Sequence, residues 1–145
     1  MDSNINTLHH LQQMRVRAVE KLVGQVGQQK QQCQRFQKNV SALTGLYDNT
    51  PEAAGDCAVL MNNQSRYKHH LQRIVDWQKQ EQILAEKQLF ILNKQLLVEA
   101  RKEKAVDVLL AAQRIEYCKM RDRKEQKLTD AASVQCWLRQ RSKIL

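Results

Sequence analysis

Thr50-Pro51-Glu52-Ala53-Ala54-Gly55-Asp56 is the stretch that decides how this chain folds. On either side of it apolar residues recur with the seven-residue rhythm of a coiled coil, and between Ile5 and Leu138 the rhythm stops only here. Proline lacks the backbone donor a helix interior needs, and the glycine and clustered polar residues that follow favour a turn. A loop is therefore expected over 48–64. Thr50-Pro51-Glu52-Ala53 also has the form of a helix start, with Thr50 as N-cap and Pro51 in the first helical position, which predicts two short turns from Ala53 to Met61. Working outward, the chain reads as a single coiled-coil domain over 1–145, with helix 1 at about 5–47 and helix 2 at about 65–141.

With position a set at Ile5, the a series of helix 1 is Ile5, Gln12, Val19, Val26, Cys33, Val40 and Tyr47, and the d series is Leu8, Arg15, Leu22, Gln29, Phe36 and Leu43. Ten of these thirteen are apolar, enough to define a seam. Polar residues inside a seam cost stability and in some systems fix its register. Gln12, Arg15 and Gln29 are either such devices or simple imperfections, and the second reading is preferred. Gly24 and Gly27 each weaken the helix by about 1 kcal/mol relative to alanine, which points to local flexibility or close approach of a partner.

From Ser65 to the end there is neither proline nor glycine, which allows one helix of about 75 residues, on the order of 110 Å. Its a series begins at Val75 and its d series at Leu71, and thirteen of twenty-one slots are apolar. Phe90, Ile91, Leu97 and Val98 widen the stripe beyond a strict two-stranded seam. If the helices fold back on each other, helix 1 runs out near Val106 to Leu110 and about 30 residues of helix 2 project beyond it. Tyr117, Met120, Arg121 and Lys124 lie on that projection, where apolar residues alternate with Lys and Arg. Two readings stay open for it: a surface received by a partner groove or ring, or a frayed end. Near the turn, Leu71 and Val75 belong to the seam, so Tyr67, Ile74 and Trp77 are spare. They form an anchor patch or pack under the loop.

Composition narrows the function. The chain of 145 residues has four Gly, one Pro and 5% aromatic residues, so a long seam is expected in place of a compact core with an enclosed pocket. Residues 1–64 carry six Lys and Arg against five Asp and Glu, and residues 65–145 carry eighteen against ten. The net charge of +9 is thus concentrated in helix 2. Its basic residues are diluted by acids at intrahelical pairing distance, which argues against nucleic acid as a partner. No run is apolar enough for a membrane span and the first residues do not form a secretory signal, so a cytoplasmic location is expected. Cys33, Cys57, Cys118 and Cys136 form no C-x-x-C pair and are expected as reduced thiols. His9-His10 and His69-His70 are adjacent pairs, poor geometry for chelation, so no metal site is expected. Phosphate-binding glycine loops and nucleophile or zinc motifs are missing from the sequence, and neither an enzyme nor a cofactor is expected.

The order of these features resembles the FliJ family, the small coiled-coil component of the bacterial flagellar type III export apparatus. The resemblance covers nearly the whole chain. It rests on the shorter first helix, Tyr47 before the loop, Ser65-Arg66-Tyr67 and then Trp77, the basic stretch from Leu97 to Asp107, and Lys127-Leu128-Thr129-Asp130-Ala131-Ala132. It implies an all-α, long two-helix antiparallel coiled coil, a helical hairpin with the second helix longer, present as a monomer. It further implies a central stalk at the export ATPase (FliI) ring, similar to the gamma stalk of rotary ATP synthases, touching the export-gate protein FlhA and export chaperones. Such a protein is cytoplasmic and peripheral to the inner membrane through its partners. The alternatives are the equivalent stalk of a virulence-type secretion system and a coiled-coil adaptor that forms parallel dimers.

Overall fold

The computed structural model describes residues 2–51 and 57–142. It contains two helices, α1 (Asp2–Asp48, 47 residues) and α2 (Ala58–Ser142, 85 residues), with no strand among the described residues. They pack against each other as the expected all-α hairpin. The chain divides into two compact units, one formed by Met1–Arg17 with Ala100–Leu145, the other by Ala18–Glu99. Each contains a length of both helices.

The seven-residue register is the packing register. All thirteen a and d residues of α1 are half-buried, and on α2 every a and d residue from Leu71 to Tyr117 is buried or half-buried. Only four apolar residues are fully buried among the described ones, and all lie on α2: Leu71, Val75 and Ala85 in the Ala18–Glu99 unit, Leu110 in the other. A helix pair can close only one stripe on each partner. Stabilisation therefore comes from many side chains that each gain part of the roughly 1.5–3 kcal/mol available on full burial.

Two of the polar seam residues do bond across the pair. In one unit Gln12 Nε2 donates to Asp107 Oδ1 at 2.8 Å. In the other, Gln29 Nε2 donates to the Ala85 carbonyl at 3.0 Å. A slip of one heptad would set Ala100 or Arg114 opposite Gln12 in place of Asp107, so that bond penalises alternative registers, whereas Gln29 would meet an equivalent backbone carbonyl at Gln78 or Leu92. For Gln12 the preferred reading as an imperfection gives way to a register device, while Gln29 is a satisfied polar seam residue.

The described residues on either side of the turn show two things. First, Thr50 closes the end of α1: its Oγ1 donates back to the Leu46 carbonyl at 2.7 Å and its backbone N–H donates to the Tyr47 carbonyl at 3.3 Å, while its expected role as N-cap turns on Glu52 and Ala53, which lie outside the described residues. Asn49 N–H reaches the Gly45 carbonyl at 3.0 Å. Three carbonyls at the end of α1 are thereby satisfied just before Pro51, whose ring disfavours helical backbone in the preceding residue. Second, α2 starts at Ala58, seven residues ahead of Ser65, and Met61 N–H already donates to the Cys57 carbonyl. Asn62 and Asn63 cost the helix only about 0.7 kcal/mol each, and no proline or glycine follows Gly55 to stop it earlier. The separate two-turn piece over Ala53–Met61 falls partly outside the described residues, and its described end belongs to α2.

Gly24 and Gly27 lie inside α1 with nothing within 4 Å of an added Cβ, so the hairpin itself makes no close approach there. Alanine at both positions is expected to raise stability by about 2 kcal/mol in total, read as a higher urea midpoint at unchanged slope. A lower midpoint would show that these glycines answer a constraint beyond helix propensity.

Candidate partner-binding surfaces

In the unit built from Met1–Arg17 and Ala100–Leu145, α1 begins one turn earlier than expected, at Asp2, and therefore reaches further along α2. Asn4 and Ile5 wall a narrow groove with Gln113, Glu116 and Tyr117, and Ile5 and Asn6 wall another with Arg114 and Cys118. Cover thus extends to Tyr117, past the Val106–Leu110 boundary predicted from helix lengths, where Leu110 is the most enclosed of the described side chains at 1% exposure. Tyr117 is half-buried at the edge of this cover and does not sit on the free projection. From Cys118 to Ser142 all twenty-five residues are exposed.

This uncovered segment keeps a stripe of its own. Met120, Leu128, Ala131, Val134 and Leu138 fall on one side at helical spacing, and the four large ones are exposed. Seven Lys and Arg against three Asp and Glu occupy the same segment. Lys124 is exposed. Arg121 is held along the helix: its guanidinium donates to Asp122 Oδ1 at 3.3 Å and lies 3.7 Å from Glu125 Oε1. The bond to Asp122, then the charges of Asp122 and Glu125, raise its pKa above the usual arginine value. The guanidinium of Arg141 stacks over Trp137 at 5.1 Å.

In the Ala18–Glu99 unit, Tyr67, Ile74 and Trp77 all stand open to solvent, Trp77 at 57% exposure. A separate open groove in the same unit, not foreseen from the sequence, is walled by Tyr47, Pro51, Met61, Gln64, Lys68 and Gln72. The Lys68 ammonium lies 5.7 Å from the Tyr47 ring within it. Met61 and Gln64 carry a signal for the groove, but in sequence Met61 reads as the end of a separate two-turn piece and Gln64 as loop, so neither defines a face of helix 2.

His9 and His10 have ring centroids 6.4 Å apart and tilted planes, and His9 meets Gln13 one turn on. Among the described residues no group of three or more His, Cys, Asp or Glu converges on a common point. Of the four free cysteines, Cys33 alone is half-buried. Burial, and next the nearby Glu86 carboxylate, push its thiol pKa up. Because the thiolate is the reactive form, Cys33 is expected to be the slowest of the four to alkylate at pH 7.5. Glu86→Gln should speed it. Peptide mass mapping after timed iodoacetamide treatment measures both, and equal rates at all four thiols would contradict the packing described.

Two long helices, closed on each other along one stripe and bearing uncovered apolar and basic surfaces, define a coiled-coil hairpin protein. The family model of the flagellar FliJ protein matches residues 4–142. The chain belongs to the FliJ family, a non-catalytic component of flagellar type III protein export. Comparison with curated proteins and with solved structures yields no match. Among the described residues, no helix is long and apolar enough to cross a membrane.

Proposed function

We propose that this protein is the central stalk of the flagellar export ATPase ring and an escort between that ring, the export gate and export chaperones. The supporting observation is the uncovered end of α2. Its twenty-five exposed residues pair an apolar stripe with excess positive charge. An apolar stripe gains free energy only when something covers it, and a ring opening is one shape that surrounds a single projecting helix. In this reading Met120, Arg121 and Lys124 meet the FliI ring, with Tyr117 at the edge of the paired region. Tyr67, Ile74 and Trp77 meet the gate protein FlhA. The protein acts as a monomer, held at the cytoplasmic face of the inner membrane by these partners, without nucleic acid or a cofactor.

The test is to mix the full chain with the flagellar export ATPase of the same organism and follow ATP hydrolysis and ring formation. A coiled coil of matched charge serves as control. Stimulation with ring assembly supports the stalk. The absence of both, with a mass near twice 17.0 kDa in solution, would replace it with the dimeric adaptor. For the gate, Trp77→Ala is expected to weaken binding of the FlhA cytoplasmic domain about tenfold, in line with aromatic anchors at interfaces. Unaltered affinity by calorimetry would remove Trp77 from that surface.

A further inference from the structure

Within the Ala18–Glu99 unit, α2 is apolar on two opposite sides. One side is the seam. The other carries Ile83, Phe90 and Leu97 at heptad position b and Leu84, Ile91 and Val98 at position c, each set spaced by seven residues. All six are exposed, between 48% and 60%. Positions b and c lie diametrically across the helix from a and d, so α1 does not reach them. The length of α1 in the same unit has only Val23 and Leu46 as large exposed apolar residues among the described ones. Although α2 also exposes apolar residues nearer the turn, only at 83–98 do two columns, b and c, both repeat at every seventh residue.

Position f lies between b and c, along the middle of this second face. Its occupants here are Gln80, Lys87 and Lys94. The Lys94 ammonium rests over the Phe90 ring at 4.5 Å from its centroid, so the cation is part of the apolar face. We infer that this face of α2 is a docking site for an acidic amphipathic helix belonging to another protein. Three features select that occupant. Spacing by sevens over Ile83 to Val98 matches the repeat with which a second helix inserts its own side chains. The charges in the centre are both positive, so an incoming seam with Glu or Asp beside its apolar residues gains two complementary pairs. The same centre opposes other occupants. A second copy would set Lys87 against Lys87 in a parallel pair, or against Lys94 in an antiparallel one centred between residues 90 and 91. A helix lying in a lipid surface keeps its cations on the polar side, and here they would be at the deepest line of insertion.

The ring surface plays no part in the test, and Trp77, which continues the c column one heptad before Leu84, is left unaltered in every variant. A labelled three-heptad peptide with Leu at a and d and Glu at e and g is titrated with the full chain by fluorescence anisotropy. A second peptide carries Lys in place of every Glu. The Glu peptide is expected to bind at least tenfold tighter than the Lys peptide. The double variant Phe90→Ser/Ile91→Ser should weaken the Glu peptide at least tenfold, and Lys87→Glu/Lys94→Glu should reverse the preference. Both variants lie off the seam and should keep the helical circular dichroism of the parent. Equal binding of the two peptides, or Glu-peptide binding untouched by both variants, overturns the inference. So does a concentration-dependent dimer lost in Phe90→Ser/Ile91→Ser, which would make a second copy the occupant. Binding to phosphatidylserine vesicles that these variants abolish, with no peptide binding, would assign the face to a membrane.

Discussion

A chain carrying Met120→Asp and Leu138→Asp is expected to lose at least nine-tenths of its stimulation of the flagellar export ATPase while keeping its helical content. The two residues are eighteen positions apart, five full turns, so they lie one above the other on the stripe of the uncovered end. Both are exposed, Met120 at 39% and Leu138 at 53%. Placing carboxylates there costs the free chain little. If a partner's apolar surface covers the stripe, each carboxylate must be stripped of water without a partner, which costs several kcal/mol, and a factor of ten in binding is only about 1.4 kcal/mol. A charge-reversed pair in the a and d slots between them, Lys124→Glu with Lys127→Glu, should lower stimulation as well, and the part due to lost charge attraction should fade as salt is raised. ATP hydrolysis measured against ring concentration separates the cases. Full stimulation by the Met120→Asp/Leu138→Asp chain would remove this end of α2 from the ring contact and with it the main support for the stalk.

Leu110→Ala is expected to destabilise the unit formed by Met1–Arg17 and Ala100–Leu145 by about 2–5 kcal/mol, the range for deleting an enclosed leucine side chain. Leu110 is 1% exposed where no other described residue of that unit is fully buried. Since small proteins are stable by only about 5–15 kcal/mol, the loss should show as a large fall in the urea midpoint. Leu128→Ala provides the contrast. Its leucine is 72% exposed, and a surface change of this type should stay within about 0.5 kcal/mol. Equal effects at the two positions would mean that the seam does not close at Leu110.

Much of this was legible because a seam repeats. Every seam residue assigned to α1 from the Ile5 register is half-buried, and on α2 the assigned slots from Leu71 to Tyr117 are covered while Lys124 and Lys127 are not. One residue in the wrong phase would have spoiled that agreement along the whole helix. The ends were harder to read. Asp2, Ser3 and Asn4 have low helix propensity and no apolar member, so the extra turn of α1 carries no periodic signal. The cover over Tyr117 comes chiefly from Ile5 and Asn6, and helix lengths alone do not say which residues they meet. The interhelical bonds of Gln12 and Gln29 were also out of reach. A glutamine in a seam looks the same in sequence whether or not an acceptor such as Asp107 Oδ1 or the Ala85 carbonyl lies opposite. The second apolar face is half visible in sequence: Phe90, Ile91, Leu97 and Val98 read as a widened stripe, but widening and opposition differ only in the angle between faces. The exposed position of Tyr67, Ile74 and Trp77 depended on what the turn covers, which periodicity does not address.

Four fully buried side chains are a small anchor for a protein whose described part comprises two helices of 47 and 85 residues. Most positions ask only that a residue be helix-compatible and wet, and the covered ones ask for a class of side chain more than for one shape, because a half-open slot tolerates leucine, valine, cysteine or tyrosine alike. Hairpins of this design can therefore diverge a long way under drift, until two descendants of one ancestor share little beyond their rhythm. Lineage is then carried by spacing, and individual identities survive only where a partner holds them in place.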